Sequence, residues 1–126
     1  MHRRSFGTAL VAGLAMLISL TACGGGGGGG GTTKTATGGK IDVTASDIHF
    51  DVKTINATAG PLTITLHEAG ALPHTFTISS QKFELKVDND HKQATGTVTL
   101  AKGTYSFDCS VDAHAAQGMT GKIVVS

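Results

Sequence analysis

The sequence predicts an all-β protein, a Greek-key β-sandwich of seven or eight strands. Three observations carry that expectation. Between Lys40 and Ser126 apolar residues recur at every second position in short runs, turn residues separate the runs, and no window shows a 3.6-residue helical period. Many short strands of this kind bury enough surface only by packing two sheets face to face.

The runs follow in order. Ile48, Phe50 and Val52 share one parity, opposite Asp47, His49 and Asp51. After the Gly60-Pro61 turn, Leu62, Ile64 and Leu66 alternate with Thr63, Thr65 and His67. Phe76 and Ile78 come next, then Phe83, Leu85 and Val87, then Val98 and Leu100, Tyr105 and Phe107, and finally Ile123 and Val125. One strand face is apolar throughout, so residues 40–126 form one domain with a small core.

The residues before Lys40 read differently. His2, Arg3 and Arg4 make a positive start, and Ala9 to Leu20 is apolar but short for a membrane span. Residues 1–22 are therefore expected to be a signal peptide. Leu20-Thr21-Ala22-Cys23 resembles the lipobox of bacterial lipoproteins, which implies cleavage before Cys23 and lipidation of its sulfur. An uncleaved anchor helix is the alternative, and both place the domain outside the cytoplasm at a membrane. Arg3-Arg4-Ser5-Phe6 looks like part of a twin-arginine signal, though the Sec route is favoured because paired arginines are common there. Residues 23–39, with an unbroken glycine run from Gly24 to Gly31, are expected to be a flexible tether spanning roughly 20–25 Å.

Loss of Arg3 and Arg4 with the signal moves the formal charge from +1 to −1, and nothing suggests a nucleic-acid partner. The chain has two cysteines. If Cys23 is lipidated, Cys109 is a lone thiol in an oxidising compartment, where it needs a reason to persist.

Metal ligation is that reason. Cys109, His114 and Met119 lie five residues apart on one connection between strands, and Leu72-Pro73-His74 supplies a second imidazole upstream. His74 is in phase with Phe76 and Ile78, and Cys109 with Tyr105 and Phe107, so both point between the sheets. A thiolate, two imidazoles and a thioether select a single copper ion used in Cu(I)/Cu(II) electron transfer. Each residue alone could be core filling; the set in this order and phase is read as a site. His49 and His67 fall on the outward parity and His91 in a polar turn, so these three are expected at the surface.

Gly103-Thr-Tyr-Ser-Phe-Asp-Cys109, His114, Met119 and Gly121-Lys-Ile-Val-Val together resemble the C-terminal hairpin of small blue (type 1) copper proteins, the cupredoxins of the plastocyanin and azurin type. Ala71-Leu-Pro-His74-Thr-Phe is similar to their upstream histidine segment, and the Cys-x₄-His-x₄-Met spacing looks most like auracyanin. The chain departs from the family pattern twice. Thr75 stands where Asn is frequent, and its hydroxyl is expected to tie the two ligand segments together near Ser110. Asp112-Ala113 stands where many relatives have Pro-Gly. The resemblance also implies that the edge of His114 reaches the surface through an apolar docking patch, here Ala71, Leu72, Ala113, Ala115 and Ala116 with Asp112 at the rim.

The expected function is a membrane-tethered, extracytoplasmic one-electron carrier between redox partner proteins, acting as a monomer. Copper delivery or storage is the alternative, but no Met-rich or His-rich exchange tract is present. An enzyme is not expected, because copper oxidases and nitrite reductases carry a histidine beside the ligating cysteine, where this chain has Ser110.

Overall fold

The computed structural model describes residues 31–126. The expected signal peptide and Cys23 lie outside the described residues, as does nearly all of the glycine run. Among the described residues, ten strands form two mixed sheets. One has the order β1 (Thr33–Thr35), β4 (Thr54–Ala57), β10 (Thr120–Val125), β9 (Gly103–Asp108), β6 (His74–Ile78) and β7 (Phe83–Val87). The other has the order β3 (His49–Phe50), β2 (Lys40–Ser46), β5 (Gly60–Glu68) and β8 (Gln93–Leu100). The chain passes from sheet to sheet, so β2 pairs parallel with β5, and β4 with β1 and β10, while the remaining ladders are antiparallel.

The strands outside the named runs are β1, β2 and β4, of three, seven and four residues, while the Ile48, Phe50 and Val52 run yields only the two-residue β3. β1 also corrects the expected tether. Thr33–Thr35 pairs with Thr54–Asn56, and Lys34 reaches across to Asp51 at 2.5 Å and to the Asp42 carbonyl at 3.0 Å. The ordered domain thus begins before Lys40, because β4 offers an open edge whose N–H and C=O groups the segment satisfies.

Inward alternation fills the space between the sheets. β5 buries Leu62, Ile64, Leu66 and Glu68, and β2 buries Ile41, Val43 and Ala45. At one end Phe76 and Phe107 stack with centroids 4.5 Å apart, and Phe50 meets both edge-on at 5.7 and 5.6 Å. Truncating such a buried ring to alanine costs about 3–5 kcal/mol. Phe76 lies two residues after His74 and Phe107 two before Cys109, so this aromatic floor sits directly below both residues.

Strand direction gathers the rest. β6 starts, β9 ends and β10 starts at the same end of one sheet, since Thr77 pairs with Asp108 and Asp108 with Thr120. Among the described residues the buried polar or charged ones are Glu68, His74 and Thr75, and all three belong to that end.

Candidate metal centre

The loop from Cys109 to Met119 is closed by its own backbone. Cys109 N–H donates to the Met119 carbonyl at 3.0 Å, extending the β9–β10 ladder by one bond, and Met119 N–H donates to the His114 carbonyl at 3.1 Å. His114 N–H in turn donates to the Val111 carbonyl at 3.0 Å. The turn requires a left-handed residue, and Asp112 takes φ 37°. Aspartate tolerates that region better than most residues, which accounts for its presence here. Gly118, at φ 100°, makes the second reversal, and its carbonyl accepts from Lys53 Nζ.

This folding brings the expected ligands together. His74 and Cys109 are buried, His114 is half-buried, and one donor atom of each lies within 4.8 Å of the others. Cys109 Sγ stands 4.0 Å from His74 Nδ1 and 3.6 Å from His114 Nδ1, and the two rings are 5.1 Å apart at 49°. Bonds of about 2.0 Å to nitrogen and 2.3 Å to sulfur, spread at ~120°, need donors about 3.7 Å apart. The donor set fits a metal ion. Met119, with no exposed surface, lies on the same closed loop and completes the thiolate, imidazole and thioether set that suits copper.

The surroundings hold these side chains in place. Thr75 N–H donates to Cys109 Sγ at 3.4 Å, and the Thr75 hydroxyl lies 3.9 Å from the same sulfur. Thr75 Oγ1 accepts the Ser110 N–H at 2.7 Å and is 2.9 Å from Ser110 Oγ. The expected tie between the two ligand segments is therefore present. It continues outward, because the Ser110 and Thr77 hydroxyls both donate to Glu84 Oε2, at 3.0 and 3.1 Å. Glu84 escaped the sequence reading, since an exposed strand residue gives no signal of what it bonds.

Glu68 escaped it too. Its carboxylate is buried, Oε1 accepts the Gly70 N–H at 2.5 Å, and Oε2 faces His74 Nε2 at 3.6 Å. A signal existed, because Glu68 continues the inward parity of Leu62, Ile64 and Leu66. Burial holds the His74 pKa below the ordinary histidine value, with Glu68 opposing that shift. The direction favours the neutral ring, the form in which a histidine ligates a metal.

The other expected residues are placed as follows. Leu72 is exposed at 41%, the one exposed large apolar side chain among the described residues. Ala71, Asp112, Ala113 and Ala116 are exposed, and Ala115 is half-buried beside His114. His49 and His91 are exposed and His67 is half-buried, bonded to Ser46, Asp88 and Asp42 respectively, and none joins the cluster.

A sandwich with this closed four-ligand end defines a copper-binding cupredoxin. The chain matches the Cupredoxin-like domain family over residues 9–125 and belongs to that family. No curated protein matches it. Among solved structures it is similar to dithionite-reduced auracyanin from Roseiflexus castenholzii, at 20% identity and a TM-score of 0.63, over 72% of this chain and 99% of that one. Rusticyanin from Thiobacillus ferrooxidans aligns at 23% identity and 0.55, over 76% and 86%. The metal-binding domain of the Cu(I)-exporting P-type ATPase CopA of Streptococcus pneumoniae, with Cu(I), aligns at 18% and 0.60, over 78% and 99%. At these identities the likeness is one of fold.

Proposed function

We propose that this protein is a one-electron carrier, tethered outside the cytoplasm by a lipid on Cys23, that passes electrons between redox partner proteins through His114. One observation supports the carrier reading most strongly. Of the three clustered donors, His74 and Cys109 are buried and only His114 reaches the surface. Such a site guards its ligands from exchange while leaving one imidazole edge for electronic contact.

Copper bound there would supply a Cu(I)/Cu(II) couple. The chain contributes the rest. The loop's backbone bonds and the Thr75 latch fix the donors before any metal arrives, and a fixed donor set rearranges little between oxidation states. Phe50, Phe76 and Phe107 exclude water from below. Leu72, Ala113, Ala115 and Ala116 give a partner small and apolar groups to approach, and Asp112 adds a charge that influences encounter rate more than affinity. Ser110 beside Cys109 leaves no histidine bridge to further coppers, which favours a carrier over an enzyme.

Copper delivery remains the second reading, favoured by the fold shared with a Cu(I)-holding exporter domain. The optical spectrum with a redox titration separates the two. A carrier shows an intense thiolate-to-copper band, reversible one-electron titration and slow loss of copper to a chelator; rapid loss to the chelator without reversible titration would establish delivery. Absence of the band, or its survival in Cys109→Ser, would refute the copper–thiolate site. Radioactive palmitate should label the wild type and spare Cys23→Ala, and equal labelling would end the lipoprotein proposal.

A further inference from the structure

We propose that Glu68 is a positioning residue for His74: its buried carboxylate accepts the Nε2–H of the imidazole and holds the ring in the tautomer that turns the Nδ1 lone pair toward Cys109 Sγ. The proposal rests on the copper reading above and assigns that site a fifth participating side chain.

Three observations carry it. First, Glu68 Oε2 and His74 Nε2 are the two buried side-chain polar atoms among the described residues that lack a hydrogen-bond partner, and they face each other at 3.6 Å. A buried polar atom without a partner is unfavourable, and here each is the other's available remedy. Closing the gap to an N–H···O distance of about 2.9 Å takes a shift of roughly 0.7 Å.

Second, the carboxylate is held from several sides. Glu68 ends β5, its N–H donates to the Lys92 carbonyl at 2.8 Å, and the next N–H, that of Ala69, donates to the Ala45 carbonyl at 2.9 Å. Oε1 is occupied by Gly70 N–H. A Cβ on Gly70 would come within 3.1 Å of Oε1 and 2.9 Å of the Asp47 nitrogen, so a side chain there would crowd the carboxylate. The remaining oxygen is left free to serve the histidine.

Third, charge favours the arrangement. The ion-pair neighbour of the Glu68 carboxylate among the described residues is His74, and the nearby Lys92 Nζ donates to the Gly70 carbonyl at 3.0 Å. A divalent ion held by the Cys109 thiolate would be balanced by two anions, the thiolate and Glu68. Removing the carboxylate charge then weakens the oxidised state more than the reduced one. A carboxylate on the remote nitrogen also raises the basicity of the ligating one.

The test uses the full chain and two substitutions. Glu68→Gln keeps a carbonyl acceptor and removes the charge; Glu68→Leu removes both. In the copper-free protein, nitrogen NMR reads the His74 tautomer directly. The wild type and Glu68→Gln should be protonated on Nε2, and Glu68→Leu should populate both tautomers. Copper titration should show Glu68→Leu binding 10–100-fold more weakly. In Glu68→Gln the reduction potential should rise, a tenfold loss of preference for the oxidised state corresponding to about 59 mV.

Protonation of wild-type His74 on Nδ1 would overturn the proposal, as would an unmoved potential in Glu68→Gln. If Glu68→Leu fails to fold, Glu68→Gln still decides through its potential. The wild-type spectrum keeps the two readings apart. A wild type with the thiolate band and unmoved variants sinks the role of Glu68 alone, whereas a wild type without the band sinks the copper reading and leaves the tautomer result standing.

Discussion

Replacing Thr75 with valine removes one hydroxyl from a buried residue of nearly the same shape, 1% exposed, and leaves the backbone N–H that points at Cys109 Sγ. The hydroxyl accepts Ser110 N–H at 2.7 Å and meets Ser110 Oγ at 2.9 Å and Thr77 Oγ1 at 3.1 Å. Ser110 is exposed, so water can take over its N–H, and Ser110 and Thr77 both keep Glu84. The loss is therefore that of a net hydrogen bond or two, about 1–2 kcal/mol, and not the full penalty of a buried orphan. For a domain of this size that lowers the Tm of the copper-free protein by roughly 5–15 °C. Because the latch joins the start of β6 to the Cys109 loop, copper should also escape faster to a chelator. The thiolate band should persist, since N–H···S geometry is untouched. Thr75→Ser, which keeps the hydroxyl, should retain the slow copper loss of the wild type. Thr75→Val with wild-type stability and wild-type copper loss would refute the latch.

Three further outcomes are expected. Met119→Leu should keep the visible band and shift the reduction potential, because the thioether is a weak ligand that tunes rather than anchors; loss of copper on titration would show that role to be misjudged. Gly121→Ala should lower stability by at least ~1–3 kcal/mol in denaturant unfolding, since its Cβ would overlap the Phe107 ring and lie 2.7 Å from the Lys53 carbonyl; a neutral result would mean β10 can move away from β9 at no cost. The Asp88 carboxylate is held below its ordinary pKa by N–H donation from His91, at 2.8 Å, and from Asp90, at 2.9 Å. A depressed folded value means the contribution is complete above the unfolded pKa and is lost as pH falls toward the folded one. Denaturant midpoints should thus drop less between pH 6 and pH 3 in Asp88→Asn than in the wild type, and equal drops would contradict the assignment.

Much of this was written in the sequence because it is local. Parity placed His74 and Cys109 between the sheets, where they are buried, and the outward parity of His49 and the turn position of His91 match their exposure. The Thr75–Ser110 tie was legible because both residues adjoin ligands that must meet. What escaped was decided by tertiary contacts. β1 exists because the edge of β4 was open, and no feature of Thr33–Thr35 announces that. Glu68 carried a signal, an acid on an apolar parity, yet its partner lies across a loop and could be identified only once β5 and β6 were placed in opposite sheets. Glu84 carried none.

That division bears on how the centre works. His74 begins a strand of the larger sheet, and its imidazole is met from the smaller sheet by Glu68, whose backbone is clamped by both neighbouring strands. Cys109 and Met119 are tied to each other by the last rung of the β9–β10 ladder and to β6 through Thr75. His114 alone depends on the loop's internal bonds, to Val111, Gln117 and Met119. The donor closest to solvent is thus the one least restrained by the sheets, so under the docking proposed above a partner against Ala113, Ala115 and Ala116 would act first on His114, leaving the Cys109–His74 pair held by the sandwich. Replacing His114 with glycine and adding free imidazole should then restore the thiolate band, because the other three ligands keep their positions without it. A variant that stays colourless at saturating imidazole would show that His114 organises the site as well as completing it.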